Sequence, residues 1–204
     1  MNIRAWAVLG ATLCVGCGGV KRCLYEGMGR DDWQKPDEVV ALLDIREGGS
    51  VADLGAGGGY FTFRLANAVG DSGRVYAVDV DESMVAYLRE RAGREGRKNV
   101  EVVLGTFDDP QLPDGEIDLL FTSNTYHHIQ NRADYFERVL GDLAPNGRVA
   151  IVEFDESGGW FARHFGHHTG KASIVEEMQQ AGYRLAHDHE TLDRQSFLIF
   201  APQD

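Results

Sequence analysis

The sequence predicts one α/β domain built on a mostly parallel, seven-stranded sheet with helices on both faces. Three observations predict it. Short apolar runs alternate with longer stretches of helical period, the pattern of parallel strands joined by crossover helices. In Val51-Ala52-Asp53-Leu54-Gly55-Ala56-Gly57-Gly58-Gly59-Tyr60-Phe61-Thr62 a first strand ending near Leu54 turns sharply at a glycine cluster and continues as a helix. The chain closes on two strand-like runs with no helix between them, which makes an antiparallel hairpin.

A chain of 204 residues is long enough for one sizeable core and short for two. Its 43% hydrophobic and 25% charged residues match an ordinary globular protein. Lys and Arg total 20 against 32 Asp and Glu, and the resulting net charge of −12 repels phosphate backbones, which argues against nucleic acid as a partner. The three cysteines, Cys14, Cys17 and Cys23, all precede the domain, which therefore contains neither a disulfide framework nor a cysteine metal site.

Residues 5–20 carry no charge and follow Arg4 and the α-amino group, the pattern of a secretory leader too short to span a membrane. Val15-Gly16-Cys17 resembles the end of a bacterial lipoprotein cleavage box, although Cys14 stands where Leu or Val is usual. On this reading residues 1–23 are a leader, residues 24–204 are the domain, and a lipidated Cys17 anchors the protein to a membrane of the cell envelope. The alternatives are an apolar N-terminal helix packed on the domain or a mis-called start codon, with the protein then cytoplasmic.

The elements follow in order. Pro36 suits a first helical position and Asp37 and Glu38 complement the helix dipole, so a helix covers residues 36–43 with Val39, Val40, Leu42 and Leu43 on its apolar face. Trp33 precedes it, either as a staple or as cover for a ligand. After the first strand, Tyr60, Phe61, Phe63, Leu65, Ala66 and Val69 mark a helix ending at Gly70, and residues 74–79 form a second buried strand. Asp81 caps a helix on which Met84, Val85, Leu88 and Ala92 share a side. The third strand covers residues 99–104 and the fourth residues 116–121, beside the first. An amphipathic helix over residues 132–143 turns inward Tyr135, Phe136, Val139 and Leu140; residues 144–148 are a turn and residues 149–154 the fifth strand. The glycine-, aromatic- and histidine-rich stretch around Trp160 suits a substrate-facing loop. A helix over residues 171–181 is capped by Gly182, and residues 183–189 and 195–200 form the closing hairpin.

Two ligand classes compete for the glycine turn. A dinucleotide site wants Gly-x-Gly-x-x-Gly with a helix N-terminus facing a pyrophosphate, but Tyr60 stands where the third glycine belongs. The spacing is instead Asp-x-Gly-x-Gly-x-Gly, and Asp53, two residues before the first glycine, repels a phosphate and attracts an ammonium group. Asp79 ends the second strand about 20 residues beyond the cluster, where α/β nucleotide folds place an acid on the ribose hydroxyls.

This pattern resembles motif I of the class I S-adenosylmethionine-dependent methyltransferases, whose fold is Rossmann-like. Leu143-x-Pro145-x-Gly147-x-Val149-x-Ile151-x-Glu153 is a second likeness, and together they extend from about Asp31 to the C-terminus. The resemblance implies S-adenosyl-L-methionine as cofactor, held by Asp53, Gly55, Ala56, Gly57, Gly59 and Tyr60 at the turn, by Asp79 and Val80 after the second strand, and by Asn124 after the fourth. It implies Met84 against the adenine. Where the family has Gly-Asp after the third strand this chain has Gly105-Thr106, so the adenine contact passes to Asp108, with Phe107 as a backbone or stacking contact.

Methyl transfer from a sulfonium needs alignment, exclusion of water and, for a protonated nucleophile, a base. His127 and His128, at the crevice, and Glu153, ending the fifth strand, are the catalytic or substrate-orienting candidates. The Asn-Pro-Pro-Tyr signature of enzymes that methylate amino groups of nucleobases or glutamine is absent, because Thr125 and Tyr126 follow Asn124. His164, His167 and His168 have no spacing that compels a metal, and none is assigned. The reading is a methyltransferase acting on a small molecule. Its alternatives are a catalytically inactive lipoprotein that binds S-adenosylmethionine and, disfavoured by Tyr60, a dinucleotide oxidoreductase.

Overall fold

The computed structural model describes residues 29–155 and 168–203. The three cysteines, Trp160, His164 and His167 lie outside the described residues. The elements are α1 (Arg30–Gln34), α2 (Pro36–Leu42), β1 (Ser50–Leu54), α3 (Thr62–Val69), β2 (Arg74–Asp79), α4 (Glu82–Arg94), β3 (Val100–Leu104), β4 (Ile117–Ser123), a 3₁₀ turn (Tyr126–His128), α5 (Arg132–Asp142), β5 (Leu143–Phe154), α6 (Lys171–Gln180), β6 (Tyr183–His189) and β7 (Gln195–Pro202).

The seven strands form one sheet in the order β3-β2-β1-β4-β5-β7-β6. The pairs from β3 through β5 are parallel, and β7 runs antiparallel to both β5 and β6. The expected sheet and its closing hairpin are therefore present. Strand order reverses between β1 and β4, and in such sheets ligands bind at the carboxyl ends flanking this switch point.

Neighbouring residues on each central strand serve opposite faces, as a pleated strand requires. Val51, Val75, Leu119 and Phe121 pack with Val39, Leu65 and Val69 from α2 and α3. Ala52, Tyr76 and Leu120 pack with Phe136, Val139, Ile174 and Met178 from α5 and α6. Burying a side chain of this size contributes roughly 1.5–3 kcal/mol, so the two layers hold the sheet rigid beneath its carboxyl edge.

The expected turn at residues 144–148 survives as a bulge inside β5. Ile117 pairs with Leu143 and Leu119 with Arg148, so one residue of β4 faces four of β5. Asn146 takes φ 68°, and a side chain on Gly147 would meet the Ile117 carbonyl oxygen at 2.6 Å. α1 was not evident from the sequence. It lies across the carboxyl edge, where Gln34 Nε2 donates to Ser123 Oγ (2.7 Å), Lys35 Nζ donates to the Thr191 carbonyl (2.8 Å) and Trp33 stacks on Phe154 with centroids 5.3 Å apart.

Candidate functional site

A cavity of 390 Å³ opens at the carboxyl ends of β1, β2 and β4, within the range of about 300–1,000 Å³ typical of small-ligand sites. One end is made by Val80, Asp81, Thr106 and Phe107, the other by Leu54, Gly55, Asn124, Thr125 and His128, with Gly57 and Asp79 between them. Among the described residues its lining carries two acids and no Lys or Arg, an unfavourable surface for phosphate.

The turn after β1 is shaped by two glycines that serve different neighbours. Gly55 has φ +78°, and a Cβ there would lie 2.1 Å from Thr125 Oγ1. Gly59 has φ +86° and packs inward, where a Cβ would meet Phe63 at 2.5 Å and Leu88 at 2.9 Å. Gly55 thus lines the ligand cavity, whereas Gly59 locks α3 against α4.

Asp79 is held in place from both sides. The Gly57 N–H donates to its Oδ2 (2.8 Å) and the Asp81 N–H to its Oδ1 (2.9 Å). Each carboxylate oxygen keeps a lone pair for a further donor. A carboxylate fixed this way fits two adjacent hydroxyls of a ribose. Beyond it, Val80 and Phe107 are 43% and 71% exposed, an apolar surface suited to a flat base.

Other residues expected on the cofactor lie outside this lining. Met84 is 4% exposed, one of the buried residues of α4 with Val85 and Leu88. Asp108 lines a separate small depression with Asn131 and Arg138, and Thr106 takes the cavity position instead. Ala56 is buried beneath the turn, its N–H bonded to the Val78 carbonyl.

Asp53 is buried and accepts a hydrogen bond from Thr62 Oγ1 (2.6 Å). Burial pushes its pKa up to about 6, against the opposing pull of the Thr62 hydrogen bond and the Arg30 charge. Tyr60 donates its hydroxyl to Asp31 and lies under the Arg30 guanidinium, 3.8 Å from ring centroid to Cζ.

At the other side of the edge, the Glu153 side chain is fully buried and pairs with His127 Nδ1 at 3.0 Å. It also accepts from the Phe154 N–H (2.8 Å) and the His127 N–H (3.3 Å). The rings of His127 and His128 are 4.0 Å apart, and only His128 of the two belongs to the cavity lining described above. The 3₁₀ turn carrying them is braced by Tyr126, whose hydroxyl donates to Glu177 Oε2 (2.7 Å), itself in a bidentate pair with Arg132. Asn124, at φ 54°, accepts from Gln195 Nε2 through its Oδ1 (2.6 Å).

Residues 45–195 match a family model described as a methyltransferase domain. The chain belongs to this methyltransferase family. The methyltransferase domain is 32% identical over 125 residues to the ubiquinone/menaquinone biosynthesis C-methyltransferase UbiE of Hydrogenovibrio crunogenus, covering 61% of this chain and 48% of that protein. It is 28% identical over 144 residues to the arsenite methyltransferase of Halobacterium salinarum, covering 71% of this chain and 32% of that protein. The chain spans half or less of the length of these relatives. Among solved structures, a SAM-dependent methyltransferase from Aquifex aeolicus is similar over 89% of this chain and 96% of its own, with a TM-score of 0.79 and 26% identity. Family and fold imply S-adenosylmethionine as the cofactor, and the phosphate-averse cavity with its fixed Asp79 fits that molecule.

Thr106, Thr125, Ile129 and Tyr135 line the cavity without having been assigned to the cofactor from the sequence. Thr106 carried a signal, since it occupies the place of the family's adenine-binding acid. Ile129 and Tyr135 reach the cavity through tertiary packing, which no local pattern announces.

Proposed function

We propose that this chain transfers the methyl group of S-adenosylmethionine to a small-molecule acceptor. The observation that carries the reading is the Asp79 carboxylate, clamped by the Gly57 and Asp81 N–H groups inside an acid-lined cavity. Asp79 receives the ribose hydroxyls, Val80 and Phe107 flank the base, and Asp53 supplies the negative charge that favours the ammonium. The cofactor brings a methyl group on an already activated sulfonium leaving group. The protein therefore orients the acceptor and excludes water.

In this reading His128 is the acceptor-facing residue, and Glu153 and His127 are positioning residues behind it. A carboxylate only accepts, so the Nδ1 of His127 bears the hydrogen that Glu153 receives. The aromatic pair Trp33 and Phe154 closes the edge on the other side.

Two relatives are named for unlike reactions, C-methylation in ubiquinone/menaquinone biosynthesis and methylation of arsenite, so neither reaction transfers directly. Soft arsenic favours thiolate ligands, and residues 24–204 contain no cysteine. The net charge of −12 favours a small molecule over nucleic acid. Lipidation at Cys17, and hence attachment to the cell envelope, is proposed from the leader pattern; mass spectrometry of the native N-terminus tests it.

Calorimetry should show saturable binding of S-adenosylmethionine and none of NAD. Transfer of labelled methyl from the cofactor into small molecules of a cell extract should follow. Absence of cofactor binding would sink the proposal; binding without any labelled product would reduce the protein to a binding module.

A further inference from the structure

The amino-acid end of S-adenosylmethionine is a zwitterion, so a site complementary to it needs a cation as well as Asp53. Among the described residues no Lys or Arg belongs to the cavity lining, and the turn after β1 contributes none. Two cations flank Tyr60 at this edge: Arg64 of α3, 4.6 Å from the ring centroid and paired with Asp31, and Arg30 of α1, which precedes the 45–195 segment that matches the family model.

Arg30, the first residue of α1, lays its guanidinium on the face of Tyr60 at 3.8 Å and hydrogen-bonds Gln34 through Nε. Gln34 is fully buried and donates to Ser123 Oγ at the end of β4. These contacts fix the guanidinium over the carboxyl edge, between the end of β4 and the start of α3. It interacts electrostatically with Asp53, and burial lowers its pKa to about 10, so it stays charged at neutral pH. Tyr60, the residue that replaces the dinucleotide glycine, has acquired a use as the platform for this cation.

Resting on the methyl-transfer reading above, we propose that Arg30 binds the carboxylate of the cofactor's amino-acid end, completing with Asp53 a pair of opposite charges for the zwitterion. A guanidinium offers planar, paired donors that match a carboxylate, and one fixed by stacking loses little freedom on binding.

The test compares S-adenosylhomocysteine with 5′-methylthioadenosine, which keeps the nucleoside and lacks the amino-acid end. By calorimetry, Arg30→Met should weaken S-adenosylhomocysteine binding roughly 10- to 100-fold, the span expected for a charge-assisted hydrogen bond. Methylthioadenosine affinity should not change, which also certifies that the variant is folded. Arg30→Lys, keeping the charge without the paired donors, should fall between wild type and Arg30→Met. Undiminished S-adenosylhomocysteine binding by Arg30→Met, or an equal loss for both ligands, overturns the proposal. Failure of the wild-type protein to bind either ligand would instead overturn the function on which it rests.

Discussion

The Thr125 side chain stands directly over the α-carbon of Gly55: a methyl placed there would lie 2.1 Å from Oγ1, 2.5 Å from Cγ2 and 2.7 Å from Cβ of Thr125. The turn after β1 and the turn after β4 are thereby locked together at the switch point, and the ligand cavity is walled by both.

Gly55→Ala should therefore lose stability and cofactor binding together. The left-handed backbone alone costs about 1–2 kcal/mol for a residue with a Cβ, and the collision with Thr125 adds to it. A Gly55→Ala/Thr125→Gly double variant removes the collision and leaves the backbone strain, so thermal unfolding should recover partially. Strict additivity of the two changes would show that Thr125 is not the obstacle.

Asp79→Asn should weaken S-adenosylhomocysteine and 5′-methylthioadenosine alike. The amide can point an oxygen at only one of the two N–H groups, from Gly57 and Asp81, that hold the carboxylate. Loss of the charge-assisted bonds corresponds to about 1.5–3 kcal/mol, or roughly 10- to 100-fold in affinity measured by calorimetry. Equal loss for both ligands separates a ribose contact from the selective effect expected at Arg30.

Asp53 makes stability depend on pH in a direction opposite to that of an ordinary paired carboxylate. Its folded pKa, about 6, lies above the unfolded value of roughly 4. Between those values the folded chain holds a proton that the unfolded chain has released, so the contribution to stability falls as pH rises from about 4 to 6 and is a constant cost above. Asp53→Asn should raise stability at pH 7 by up to about 3 kcal/mol in urea unfolding, flatten that pH slope, and weaken binding of the ammonium-bearing cofactor. A less stable variant at pH 7 would contradict this account.

The sheet was legible because its causes are local. The acids and glycines that end β1 and β2 and the alternation that buries Val51 and Ala52 on opposite faces are written in consecutive residues. The placement of Asp79 at the end of β2, on the cavity, was legible for the same reason. An apolar residue in the first turn of α4 reads alike whether it meets a ligand or the core, and Met84 is buried and does not line the cavity. Two residues past the family position, Asp108 lines a neighbouring depression, while Thr106 lines the cavity. Arg30 and Gln195 reach the edge from opposite ends of the chain, and only the fold brings them to Tyr60 and Asn124.

Glu153 and His128 should separate by what their loss affects. Glu153 accepts three hydrogen bonds in full burial, whereas His128 is exposed on the cavity side of the neighbouring His127 ring. Glu153→Gln turns one acceptor into a donor facing an N–H, so chemical unfolding should register a loss of about 1–3 kcal/mol. Methyl transfer should fall with it because the 3₁₀ turn loses its anchor. His128→Ala removes no buried bond of that network and should leave stability and S-adenosylhomocysteine affinity unchanged. Its turnover on the acceptor found by labelling should drop about 100-fold or more if it handles the acceptor's proton, the usual scale for a general base. Turnover unchanged in His128→Ala but lost in His127→Ala would move the acceptor-facing role to the buried histidine, and Glu153 would then be the group that sets its tautomer directly at the reacting centre.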